Sequence, residues 1–209
     1  AYVSVDPKFK DCAFTDGENV SNVVSDGKGG YVFKAQNIGG FEAKVFTKTN
    51  KASSCDAVVL DETADGINVD TPFFSFTVHT DGTLHNFYDK RERVTYSAGQ
   101  GLNCLKVYRD GPEIEDAWNI DRDFKCRPVD MKWENSAEII ENNGERAVIR
   151  ITKKGSKTTV KQDIVIYAEL AKVDFMCHID WQEKYRLMQV TFPTTVNAPY
   201  ASYEIAYGV

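Results

Sequence analysis

The segment EIEDAWNIDRDF, residues 113 to 124, sets five carboxylates around a single indole. Paired carboxylates are the machinery of glycoside hydrolysis, but only when they flank one bond at ~5–5.5 Å or ~6.5–9.5 Å, according to mechanism. Neighbours along an extended chain point to opposite faces, so this spacing does not by itself make such a pair. Two readings of the segment remain. In one it is an acidic loop whose Trp packs on the body of the protein. In the other it recognises sugar, the flat aromatic covering the C–H face of a pyranose while carboxylates accept hydrogen bonds from hydroxyls.

Other chemistry is thinly represented. His79 and His85 straddle an Asp81-Gly82 turn and are expected to approach each other across a hairpin. Zinc requires three or four convergent ligands, and the sequence supplies no evident third, so they read as hairpin-edge histidines. His178, Asp180 and Glu183 form a second cluster, read as neighbours on a half-exposed strand face. No GxSxG elbow, Walker pattern or GxGxxG fingerprint is present, and DGKGGYVF (26 to 33) reads as a turn rather than a phosphate loop. The five Cys (12, 55, 104, 126 and 177) are odd in number and lack CxxC spacing. They read as buried free thiols in a reducing compartment.

These residues must be positioned by strands. Short runs of period two recur along the chain, with almost nothing at helical spacing. AEIIEN and RAVIRITKK flank Asn143-Gly144, a pair suited to positive φ at both central positions of a hairpin. RAVIRITKK and KTTVKQDIVIYAE flank Gly155-Ser156, a glycine-first turn. Alternation puts Ala147, Ile149 and Ile151 on one face and Val148, Arg150 and Thr152 on the other. In the strand 172 to 181 the apolar set is Val173, Phe175, Cys177, Ile179 and Trp181.

TPFFSFTVH and TLHNFYDK surround Asp81-Gly82, and further strands are expected near 31 to 34, 41 to 49, 57 to 63, 104 to 109, 187 to 192 and 202 to 207. About a dozen strands without a helix imply an all-β fold, a large antiparallel β-sandwich. DETADGIN (61 to 68) reads as a linker between a small amino-terminal β unit, residues 1–66, and the sandwich, residues 67–209. A net charge of −6 disfavours nucleic acid and anionic membrane surfaces as partners. No apolar run approaches the ~20 residues of a membrane-spanning helix.

Three stretches in order resemble the carboxyl-terminal β-domain of family 38 α-mannosidases, in the branch of bacterial and cytosolic or vacuolar enzymes. They are FTVHTDGTLHNFYDKRER (76 to 93), LNCLKVYRDGPEIEDAWNIDRDF (102 to 124) and VDFMCHIDWQEKYRLMQVTFPTTVNAPYASYEIAYGV (173 to 209). The resemblance implies a galactose mutarotase-like supersandwich and a cytoplasmic protein. It also implies that the nucleophile and a divalent metal, zinc in this family, belong to a separate amino-terminal catalytic domain. On that basis this chain carries no catalytic residue, metal ligand or cofactor of its own. Asp116, Trp118 and Asp121 are then the candidate substrate-binding residues, completing a mannose site against the catalytic domain. Asn119 stands where the family commonly has Asp.

The chain starts at Ala1 and stops at Gly208-Val209, where the family continues, which predicts an excised portion of a larger hydrolase. The partners expected are a mannose-containing oligosaccharide and the catalytic domain of the same parent chain. The alternative is a stand-alone carbohydrate-binding module; a sugar mutarotase, suggested by fold analogy alone, lacks the clustered His and carboxylate it would need.

Overall fold

The computed structural model describes residues 2–26, 29–50, 57–112, 114–115 and 118–206. Sixteen strands and two 3-10 turns organise them, and every strand pair is antiparallel. The first sheet comprises β1 (Tyr2–Val5), β2 (Ala13–Thr15), β3 (Val20–Ser25), β4 (Tyr31–Lys34) and β5 (Thr47–Thr49), in the order β1-β4-β3-β2-β5. Val23, Phe33 and Ala35 are buried at its centre. Phe33 stacks on Phe14 with ring centroids 4.7 Å apart and meets Phe46 edge-on at 5.2 Å.

A five-stranded meander follows: β6 (Val59–Thr63), β7 (Gly66–Asp70), β8 (Phe74–Val78), β9 (Leu84–Asp89) and β10 (Val94–Thr95). Next come β11 (Cys104–Arg109), then β12 (Glu134–Asn142), β13 (Arg146–Lys154), β14 (Thr159–Tyr167) and β15 (Val173–Asp180) as a four-stranded sheet, and finally β16 (Arg186–Thr191), which pairs with β11. The main core joins the meander to the four-stranded sheet. Val69, Phe76, Val78 and Leu84 come from one side and Ala147, Ile149, Ile151, Ile164 and Ile166 from the other, as period-two alternation requires. Each fully buried Ile contributes roughly 1.5–3 kcal/mol relative to exposure. On the reverse face of β13 and β14, Val148, Val165 and Tyr167 pack with Tyr2, so β1 reaches the sandwich. Asn22 donates to Glu145 at 2.9 Å and Lys34 pairs with Glu169 across the same junction.

Several expectations need correction. Residues 61–68 are not a linker: they form the β6–β7 hairpin, held because Val58, Leu60, Ile67 and Val69 contribute to the main core. At the β12–β13 turn only Gly144 has positive φ (+85°), and the Asn143 N–H donates to the Arg146 carbonyl, so the central pair is Gly144-Glu145. The Gly155 N–H likewise donates to the Thr158 carbonyl, moving the next turn to Ser156-Lys157. No strand covers 41–46, where Phe41 adopts φ +62°, or 202–206.

Of the four described Cys only Cys104 is buried; Cys126 and Cys177 are exposed, and Cys55 lies outside the described residues. Cys177 sits in the second half of β15, one of the two edge strands of its sheet. There the inward face loses its cover, although Val173 and Phe175 pack on the core.

Candidate functional site

Strand β11 positions the acidic segment. One edge of β11 pairs with β16 from Cys104↔Thr191 to Arg109↔Arg186. Its other edge receives the returning chain, with the Arg109 N–H on the Arg127 carbonyl (2.9 Å) and the Val129 N–H on the Val107 carbonyl (2.8 Å). Residues 110 to 126 are therefore an excursion whose two ends are clamped side by side.

The carboxylates at the base of this loop fold it. Asp110 accepts from the Asp121 N–H (3.0 Å), while Asp121 Oδ2 accepts from the Gly111 N–H (3.3 Å) and Arg127 Nη1 (2.8 Å). Arg127 Nη2 donates to Asp123 Oδ1 at 2.5 Å. That hydrogen bond holds the Asp123 carboxyl below its ordinary range and raises Arg127. Phe124 closes the base, edge-on to the buried Tyr108 at 5.2 Å. Much of the acid is thus consumed internally, with Arg127 as its counter-charge.

The tip presents the indole. Glu115 takes φ +54°, and its carbonyl accepts from the N–H groups of Trp118 (2.8 Å) and Asn119 (2.9 Å). The Asn119 amide donates to the Ile114 carbonyl at 3.1 Å, a bond that an ionised Asp there could not make. Trp118 is 89% exposed, flanked by exposed Ile114 and Ile120. The reading in which this Trp packs on the sandwich is overturned. Asp116 lies outside the described residues. Asp121 is brought to the loop base rather than to the tip, so the two described candidates divide into an anchor and a presented aromatic.

The histidine pair does meet. His79 and His85 stack with centroids 3.9 Å apart and 14° between planes, and Thr83 links His85 Nε2 (3.0 Å) to Asp81 (2.6 Å). The hairpin between them is a three-residue loop: the His79 N–H donates to the Thr83 carbonyl, and Gly82 takes φ +78°. Burial, followed by the like charge of His79, depresses the His85 imidazole against the opposing pull of Asp81. Among the described residues no three or more His, Cys, Asp or Glu are placed to hold a metal ion. His178 and Asp180 lie exposed on the outer face of β15.

Sequence reasoning missed a buried polar knot beneath this hairpin. Asn103 (4% exposed, φ +60°) donates to the Gly82 carbonyl at 2.9 Å and to Gln162 Oε1 at 2.6 Å, and Gln162 Nε2 returns a bond to Asn103 at 3.2 Å. Lys153 is buried nearby and its ammonium is depressed by desolvation, partly offset by Asp81. The available signal was a broken pattern: Gln162 interrupts the inward series Val160, Ile164 and Ile166, and Lys153 ends the series Ala147, Ile149 and Ile151.

The glycosyl hydrolases family 38 C-terminal domain matches residues 69–209, which takes in β8 through β16 and the Trp118 loop. The chain belongs to that family. Alpha-mannosidase G of Dictyostelium discoideum is 28% identical over 162 residues, covering 74% of this chain and 15% of the relative. The family 38 C-terminal domain seen here thus corresponds to a small part of that relative's length. All three stretches that carried the sequence resemblance fall within the match. No helix among the described residues is long and apolar enough to cross a membrane.

Proposed function

We propose that this chain is the non-catalytic β-domain of a retaining α-mannosidase. It buttresses the catalytic domain of its parent and presents Trp118 at the mannose site. The observation that carries the reading is an almost fully exposed indole on a clamped, acid-tied loop inside a family 38 C-terminal domain. An apolar ring with so much uncovered surface needs a partner, and both a pyranose face and a protein surface supply one. Asp121 acts by holding the loop, and Asp116, two residues before the indole, is the hydroxyl acceptor of this proposal. A small amino-terminal unit ahead of the sandwich belongs to the same proposal, ending before β6 rather than at residue 66 because Val58 and Leu60 belong to the main core. So does a cytoplasmic setting.

In this reading the nucleophile and a divalent metal, zinc by resemblance, sit on the parent's catalytic domain. The described side chains of this chain do not form a ligand set for such an ion. The chain's contribution to rate is contact that tightens in the transition state. Two measurements test it. The purified chain is expected to release no mannose from an aryl α-mannoside, and Trp118→Ala in the parent enzyme is expected to lower kcat/KM by roughly tenfold or more, the scale of an interface anchor. Release by the isolated chain, or a wild-type rate in the variant, would end the reading.

The exposure of Trp118 also fits a free-standing carbohydrate-binding module. Tryptophan fluorescence titrated with mannose oligosaccharides separates the two, because a module quenches or shifts its emission without any catalytic domain present.

A further inference from the structure

The four-stranded sheet ends at β15 in an uncovered edge. This strand pairs with β14 from Ile166↔Val173 to Thr159↔Asp180 without a bulge, and among the described residues it has no other strand neighbour. From Met176 to Asp180 it is exposed throughout. Met176 is 52% exposed on the outer face and Ile179 is 41% exposed on the inner face, two large apolar side chains without cover. No proline or glycine interrupts the run VDFMCHID. A regular edge of this kind pairs with a further strand through its main chain, and the side chains decide which strand fits.

The order of charges along β15 fits a second copy of itself. With the copy antiparallel about a two-fold axis through Met176, the outer face sets Lys172 against Asp180, Asp174 against His178 and Met176 against its own twin. On the inner face Val173 meets Ile179 and Phe175 meets Cys177. Opposite charges directly across an antiparallel ladder stabilise it, and like charges do the reverse. Within one chain Lys172 already pairs with Asp174 at 2.7 Å, so the copy extends this pair into a row of Asp180, Lys172, Asp174 and His178. The adjacent registers that keep like faces together do worse. One sets Asp174 against Asp180; the other sets Lys172 against His178 and Met176 against Asp174. Charge and apolar matching therefore select a single alignment.

We propose that β15 is a self-association edge, joining two copies of this chain antiparallel at Met176 and merging their four-stranded sheets into one of eight strands. Pairing of this kind closes on itself, because each copy uses the same strand. The ladder covers Cys177 and Ile179, where the inward face of β15 lacks cover in a single copy. It is short and belongs to the small, transient class of interface. No residue of the Trp118 loop takes part, so this inference stands independently of the mannose-site reading.

The test is sedimentation equilibrium on the full 209-residue chain. The mass is expected to rise from 23.5 kDa toward twice that value between about 10 and 200 µM, the range of a small interface. Asp180→Lys sets like charges across both ends of the ladder and is expected to raise Kd roughly tenfold, while adding Lys172→Glu restores pairing. Both positions are exposed, so each variant is expected to keep the wild-type melting temperature. Should Asp180→Lys lose it, His178→Glu, which sets like charge against Asp174, gives the same reading. Met176→Cys is expected to link two copies by a disulfide under mild oxidation, because opposite residues of a ladder stand ~4.5–5.5 Å apart between Cα atoms. The proposal is overturned if the mass stays at 23.5 kDa up to about 200 µM, or if the charge variant associates as tightly as wild type. It is equally overturned if oxidised wild type links through Cys177, which stands on the axis only in a shifted register.

Discussion

Replacing Asn103 by Ala examines the polar knot that ties three parts of the sandwich together. Asn103 precedes β11, Gly82 caps the β8–β9 hairpin and Gln162 lies in β14, so one side chain links segments 21 and 59 residues away. The change removes three hydrogen bonds at a site only 4% exposed. Each is worth about 1 kcal/mol net, and the amide of Gln162 and the Gly82 carbonyl are then left without this partner in the interior.

Asn103 also sits at φ +60°, a conformation that Asn tolerates and Ala resists by about 1 kcal/mol. The total is about 3–4 kcal/mol, a large share of the roughly 5–15 kcal/mol of a typical domain. For a chain of this size it lowers Tm by about 6–16 °C. Urea unfolding of wild type, Asn103→Ala, Gln162→Leu and the double variant measures it as a cycle. The double variant is expected to lose clearly less than the sum of the singles, because removing both partners abolishes the orphaned groups. A loss below ~1 kcal/mol for Asn103→Ala, or strict additivity, refutes the view that this knot is energetically coupled.

Three further outcomes are expected. Gly66 has φ +147° and an added Cβ would run into the Val78 carbonyl, so Gly66→Ala should destabilise by about 1–3 kcal/mol in a thermal melt, whereas Gly99→Ala, with open space around it, should be near neutral. The depressed imidazole of His85 binds its proton later than in the unfolded chain; stability should be complete above the ordinary value of about 6.5 and decline as pH falls below it. Denaturant midpoints at neutral and mildly acidic pH check this, and His85→Gln should flatten the difference. Arg127→Gln releases Asp121 and Asp123 together and should speed proteolytic cleavage within residues 110 to 126 while the sandwich keeps its melting temperature.

The main sandwich was legible because strands that bury one face announce it by alternation. RAVIRITKK sends Ala147, Ile149 and Ile151 inward without exception, and every member is found there. The segment 61–68 was misread because DETADGIN is polar at the hairpin tip, while of the residues that fasten it, Val58, Leu60 and Val69 lie just outside it and Ile67 is its one large apolar residue. The turn shifts at Gly144 and Gly155 have a similar origin. Sequence shows which residues permit a turn, whereas the register set by the flanking cores chooses the central pair.

At the site, the gathering of acid was visible but its use was not. Arg127 lies outside the quoted segment, and only the return of the chain along β11 brings its guanidinium to Asp121 and Asp123. Neither does any local pattern mark Trp118 as uncovered. Its 89% exposure is set by the fold of the loop between the clamped ends at Arg109 and Arg127.

Pairing in β12 slips between Ile139↔Ile149 and Glu141↔Val148, and this irregularity bears on neighbouring chains. This strand is the terminal member of its sheet, and a straight terminal strand offers its spare N–H and C=O groups to any passing chain. The extra residue at Ile140 breaks that row of donors and acceptors, and the exposed Glu134 and Glu138 repel an incoming copy of the same segment. The kink therefore doubles as protection, keeping a β-rich chain from growing sideways into fibres.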